Sequence, residues 1–97
     1  MEITLKAGLA TFDPKDVRDT LNTALRHEVS LARARRDSYE RRCQEFESRY
    51  QLTSDKFMQQ FESGRLGDDA DYFDWYAAKR GLDLWDHRSK ILAEISL

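Results

Sequence analysis

The chain has 97 residues, 35% charged and 40% hydrophobic, enough for one small domain with a modest core and too apolar for a disordered segment. Its net charge of −2 excludes attraction to nucleic acid through the whole-molecule field, although a local basic stripe stays open. A single cysteine, Cys43, cannot form an internal disulfide, no run reaches transmembrane length, and Met1-Glu2 is a poor start for a signal peptide, so the expected setting is cytoplasmic.

Residues 2–7, EITLKA, alternate Ile3 and Leu5 with Thr4 and Lys6. That pattern is strand-like but too short to make a sheet alone. Residues 1–12 are therefore expected as an extended arm laid on helices, or as a strand paired with its copy in a dimer. Asp13-Pro14 then opens a long helix over 13–51: the aspartate can cap free amides, and proline is tolerated at the first helical position. Such a helix is on the order of 50 Å long. Leu21, Leu25, Ala32, Tyr39, Cys43, Phe46 and Tyr50 form one stripe at helical spacing, thinned around Glu28 and Arg35-Arg36.

A connector follows. Leu52, Thr53 and Phe57 have the spacing of a hydrophobic staple around an N-cap, predicting a short helix over 53–63 that presents Phe57, Met58 and Phe61. Gly64 stands where a left-handed C-cap residue belongs, and Gly67 permits a second turn. Asp68, Asp69 and Asp71 supply a cap and negative charge for a third helix over 69–96. This last helix carries two apolar rows. Trp75, Ala78, Leu82, Trp85 and Leu92 form one, while Phe73, Ala77, Leu84, Ile91 and Ile95 form another, rotated by roughly 140°. Gly81 lies within the helix, where it costs about 1 kcal/mol relative to alanine. It marks a kink, a close helix crossing or a tolerated defect.

The chemistry-bearing residues give little support to a reaction. Cys43 sits on the apolar stripe, where a thiolate is disfavoured. Asp83 and His87 have metal-ligand spacing but no further ligands nearby, and the acidic run GDDADYFD fails the calcium-loop pattern at the positions taken by Asp74 and Arg80. No nucleophile–base set, paired carboxylates or phosphate loop can be assembled. The expectation is no enzyme, no cofactor and no metal. Arg35, Arg42 and Arg49, seven residues apart, could track phosphates, but the acidic residues of the third helix are an obvious counter-charge.

The run YQLTSDKFMQQFESGRLGDDADYFDWY, through Tyr50, Thr53, Phe57, Phe61, Gly64, Leu66, Gly67, Asp68, Asp69, Phe73 and Trp75, resembles a segment of small uncharacterised prokaryotic all-helical proteins. Members of that group are often assigned as the antitoxin half of a toxin–antitoxin pair. The resemblance covers about a quarter of the chain. It implies a helical protein that binds and neutralises a partner, and it carries no catalytic residues across. DNA reading through a ribbon-helix-helix is not carried over, because the helix from Pro14 to Tyr50 is uninterrupted.

The expected architecture is all-α. The first and third helices form a long antiparallel, coiled-coil-like hairpin, with Phe57 and Phe61 plugging its closed end. The expected function is a protein-binding module, antitoxin-like, that uses Phe73, Leu84, Ile91 and Ile95 to meet a partner protein or a second copy, with a homodimer the favoured assembly; the alternative for this row is cover by the short helix and the amino-terminal arm of the same chain. The alternatives are a nucleic-acid-binding helical dimer using Arg35, Arg42 and Arg49, and a structural coiled-coil adaptor.

Overall fold

A computed structural model describes residues 8 and 11–96. The strand-like segment at residues 2–7, and with it most of the arm, lies outside them. Three helices account for the fold: α1 over Pro14–Tyr50, α2 over Ser54–Glu62 and α3 over Ala70–Ala93. No strand occurs among the described residues. α1 and α3 pack against each other along an antiparallel seam, and α2 closes one end. The molecule is a long helical hairpin measuring 60 × 22 × 20 Å.

The helix ends follow from local chemistry. Asp13 accepts the Lys15 N–H at 2.9 Å and Pro14 occupies the first turn. Thr53 caps α2 by accepting the Lys56 N–H at 3.2 Å, while Leu52 packs into the cluster around Phe57, completing the staple. At the other end of α2, Gly64 has φ +75 and donates to the Phe61 carbonyl, while Arg65 donates to that of Gln60. This double bond pattern is a Schellman motif, which a left-handed glycine makes inexpensive. Gly67 plays no such part, since its backbone is not left-handed and its surroundings would admit a Cβ. Asp69 caps α3 through the Asp71 N–H at 2.9 Å.

α3 stops earlier than expected. It ends at Ala93, where Glu94 and Ile95 bond back to the carbonyls of Ile91 and Leu92 three residues before. The tightened turn is followed by β-branched Ile95 and Ser96, both weaker helix formers than alanine or leucine. Ile95 therefore lies beyond the helix, although it is half-buried.

The core gathers at the closed end. Trp75 and Phe57 are fully buried and stack with ring centroids 4.0 Å apart and planes 7° from parallel. Phe46 and Tyr50 of α1 stack on the same indole from 5.7 Å. Cys43 and Ala78 fill the remaining space. The seam residues expected from the helical spacing thus meet as anticipated near the connector, with α2 as the plug. Further along, α1 and α3 come so close that a Cβ on Gly81 would lie 2.6 Å from the Tyr39 ring. Of the three readings open for Gly81, close crossing is the one observed.

Tyr50 lies against Tyr72 and Arg35 over Trp85, which sets the antiparallel register. Eight residues on from Trp85, Ala93 comes level with residue 27, eight before Arg35. The first dozen or so residues of α1 thus project beyond α3 by roughly 20 Å.

Candidate functional site: the outer face of the third helix

The two apolar rows of α3 have different fates. Trp75 and Ala78 are buried against α1, and Leu82, Trp85 and Leu92 are half-buried in the same seam. On the opposite side Phe73, Leu84 and Ile91 remain 54%, 45% and 47% exposed, and Ala77 is exposed between them. Ala77, Leu84 and Ile91 follow at intervals of seven, so they form one row nearly parallel to the helix axis. α2 reaches this row at one point: Phe61 meets Phe73 edge-on, ring centroids 5.6 Å apart at 89°. Of the four residues expected on this face, three stand open on α3, and Ile95 is displaced past its end. Phe12, Leu21 and Leu31 are further exposed apolar side chains, of which Phe12 and Leu21 border a shallow hollow with Val17 and Thr20 on the α1 projection.

The arginine stripe uses the counter-charge of the third helix at only one point among the described residues. Arg49 alone crosses to a carboxylate, meeting Asp71 at 2.7 Å. Arg35 lies over the Trp85 ring at 4.6 Å and Arg42 over the Tyr39 ring at 5.6 Å, and neither pairs with a carboxylate among the described residues. The reason is that the seam beside them is aromatic, and a planar guanidinium lies flat on a ring while keeping its edge in water. Two acidic residues further along α3 are engaged by lysines instead: Asp83 binds Lys79 at 2.8 Å and Asp86 binds Lys90 at 2.8 Å. Lys79 also reaches Asp55 of α2 at 3.3 Å. Asp83 is therefore one side of an ion pair, with His87 exposed one turn on.

Several polar ties hold the closed end. The Trp75 indole N–H donates to the buried Ser54 hydroxyl at 2.9 Å, as a buried indole needs an acceptor. The Glu47 carboxylate accepts the Ser54 backbone N–H at 2.7 Å, capping α2 from α1. Burial pushes the Cys43 thiol above its ordinary pKa, outweighing the hydrogen bond with Ser54, so the sulfur behaves as a small apolar filler. None of these ties was marked by a motif. Only the preference of a tryptophan for a hydroxyl partner hints at one of them.

Asp71 ties the end of α1 to the start of α3, accepting from the Tyr50 hydroxyl and Arg49 Nη1, each at 2.7 Å. The Tyr50 hydroxyl, then Arg49, hold the Asp71 carboxyl below the usual range. Since the folded value lies below the unfolded one, this contribution is complete above pH of about 4 and disappears as pH falls through the folded value. The Tyr50 phenol is conversely pushed up to about 12, chiefly by its bond to Asp71, so its share is lost as pH rises from about 10 toward that value. Asp71→Asn should therefore shrink the drop in melting temperature that acid causes in the parent chain. Equal acid sensitivity in parent and variant would place the pH dependence elsewhere.

The described residues form an all-α hairpin with one open apolar row and no cluster of three metal-ligating side chains. None of their helices is long and apolar enough to cross a membrane. Comparison with known proteins found no matching family model, curated protein or solved structure.

Proposed function

We propose that this chain is a non-catalytic protein-binding module, an antitoxin-like regulator of a cytoplasmic partner, which it captures on the outer face of α3. The observation that carries the reading is the row Phe73, Ala77, Leu84 and Ile91, left open on a helix whose opposite face packs on α1. Burial of a large apolar side chain yields about 1.5–3 kcal/mol, so covering such a row is a substantial driving force for association. The connector resemblance adds the antitoxin character, and the buried, protonated thiol suits a reducing compartment.

The test uses Leu84→Asp and Ile91→Asp, which alter exposed positions and should leave the fold intact. Co-expression with the neighbouring gene's product should give a complex, relieve toxicity, and lose both with either variant. A complex that survives both substitutions would remove this face from the function. A second reading, nucleic-acid binding, draws support from Arg35 and Arg42, whose guanidinium edges are not committed to carboxylates. Binding to an oligonucleotide that weakens steeply with salt, and falls in Arg35→Ala and Arg42→Ala, would favour it.

A further inference from the structure

Deepening the protein-binding reading and resting on it, we infer that the occupant of the α3 face is an amphipathic helix of another protein, carrying carboxylates along the edges of its apolar stripe. The row to be covered runs from Phe73 to Ile91, about 27 Å, which matches a helix of about five turns. Its repeat of seven, with the large Leu84 and Ile91 following the small Ala77, is the pattern a second helix packs against.

The charge beside the row selects the partner. Arg80 and Arg88 each stand four residues from Leu84, one about 40° to either side of it, and His87 adds a third basic group on the same turn. Neither arginine meets a carboxylate among the described residues, since the nearby Asp83 and Asp86 are held by Lys79 and Lys90. Arg88 instead lies over the Trp85 ring at 4.8 Å and Arg80 over Tyr76 at 5.9 Å. A guanidinium beside a ring has its N–H groups uncommitted to a carboxylate of this chain's described residues and available as a fork-shaped donor to one on a partner. The opposing charges stand at the ends of the row, Asp74 beside Phe73 and nearly three turns from Leu84, and Glu94 just past Ile91.

The same arrangement disfavours a second copy of the chain. Two α3 faces packed antiparallel about Leu84 bring Arg80 of each copy against Arg88 of the other. Packed in parallel, they set each arginine against its own counterpart. Both cases bury like charges at the centre of the interface, which costs affinity and excludes partners.

The experiment measures fluorescence anisotropy of two synthetic helical peptides added to the full chain at low salt. They share one leucine stripe and differ in the flanks, glutamate in one and lysine in the other. The glutamate-flanked peptide should bind at least about tenfold more tightly. Arg80→Glu combined with Arg88→Glu should invert that order, and Leu84→Asp should abolish binding of both, with circular dichroism confirming that each variant is folded. If both peptides bind equally and the double charge reversal changes nothing, the charge selection is overturned while protein binding on the face survives. If neither binds, the protein-binding reading falls with it. A dimer of the chain alone that Leu84→Asp dissociates would make the second copy the occupant and overturn the inference.

Discussion

Trp75→Ala should abolish most of the stability of this chain, by about 3–5 kcal/mol where a small domain holds about 5–15 in total. The size of the effect follows from what the indole touches. It lies face to face with Phe57, flanked by Phe46 and Tyr50, and its N–H holds the Ser54 hydroxyl that begins α2. Removal would leave a cavity where all three helices meet, and the fully buried Phe57 would lose its main partner. Urea unfolding followed by far-ultraviolet circular dichroism should show a much lower midpoint. Trp75→Phe isolates the polar component: it retains much of the packing and takes the indole donor from the Ser54 hydroxyl, which keeps its bond with Cys43, at a cost of about 0.5–1.5 kcal/mol. Ser54→Ala in the Trp75→Phe background should then cost less than Ser54→Ala alone. Additive losses in this cycle would mean that the hydrogen bond contributes nothing specific.

Gly81→Ala presents a test in which local and tertiary preferences oppose each other. Helix propensity alone favours alanine by about 1 kcal/mol. The added methyl would sit 2.6 Å from Cε1 and Cζ of Tyr39, inside contact distance, so the ring or the helix must move. Overpacking of this kind costs about 1–3 kcal/mol, so the expected result is a lower melting temperature, and a larger fall for Gly81→Leu. Once Tyr39→Ala opens the space, the same Gly81→Ala substitution should raise the melting temperature. A stabilising Gly81→Ala in the otherwise unaltered chain would show that the close approach at Tyr39 does not matter.

These two positions show what was legible in the residue pattern. Features whose cause lies within one or two turns could be anticipated: the Asp13-Pro14 start, the Thr53 cap with its staple, the left-handed Gly64, and the face shared by Trp75, Ala78 and Leu82. The glycine at 81 could be noticed but not explained, because its reason is a ring on another helix. The ties Trp75–Ser54 and Tyr50–Asp71 each span 21 residues, and nothing local requires them. The arginine repeat was visible as spacing, yet whether a guanidinium pairs with a carboxylate or stacks on a ring depends on which side chain crosses the seam. The end of α3 was misplaced because an apolar residue at helical spacing, Ile95, does not by itself continue a helix. For the candidate site, the second row could be read from periodicity. Its exposure could not, since periodicity does not say how much of the row α2 covers, which is the single edge of Phe73.

The unequal lengths of α1 and α3 give the hairpin a mechanical polarity. Aromatic rings, polar ties and the plug of α2 are concentrated at the turn, whereas the beginning of α1 has neither α2 nor α3 beside it. Opening free energy in such a rod is graded from one end to the other, low at the projecting turns and approaching the global value near the turn. Fraying can therefore travel inward only as far as the first stacked ring without disturbing the rest. Ile91 of the open row on α3 lies toward the looser end, while the Phe73 and Ala77 end of the row lies over the stiff section. A helix docking there would meet a surface that is already fixed in shape, and would have little ordering cost on this side of the contact.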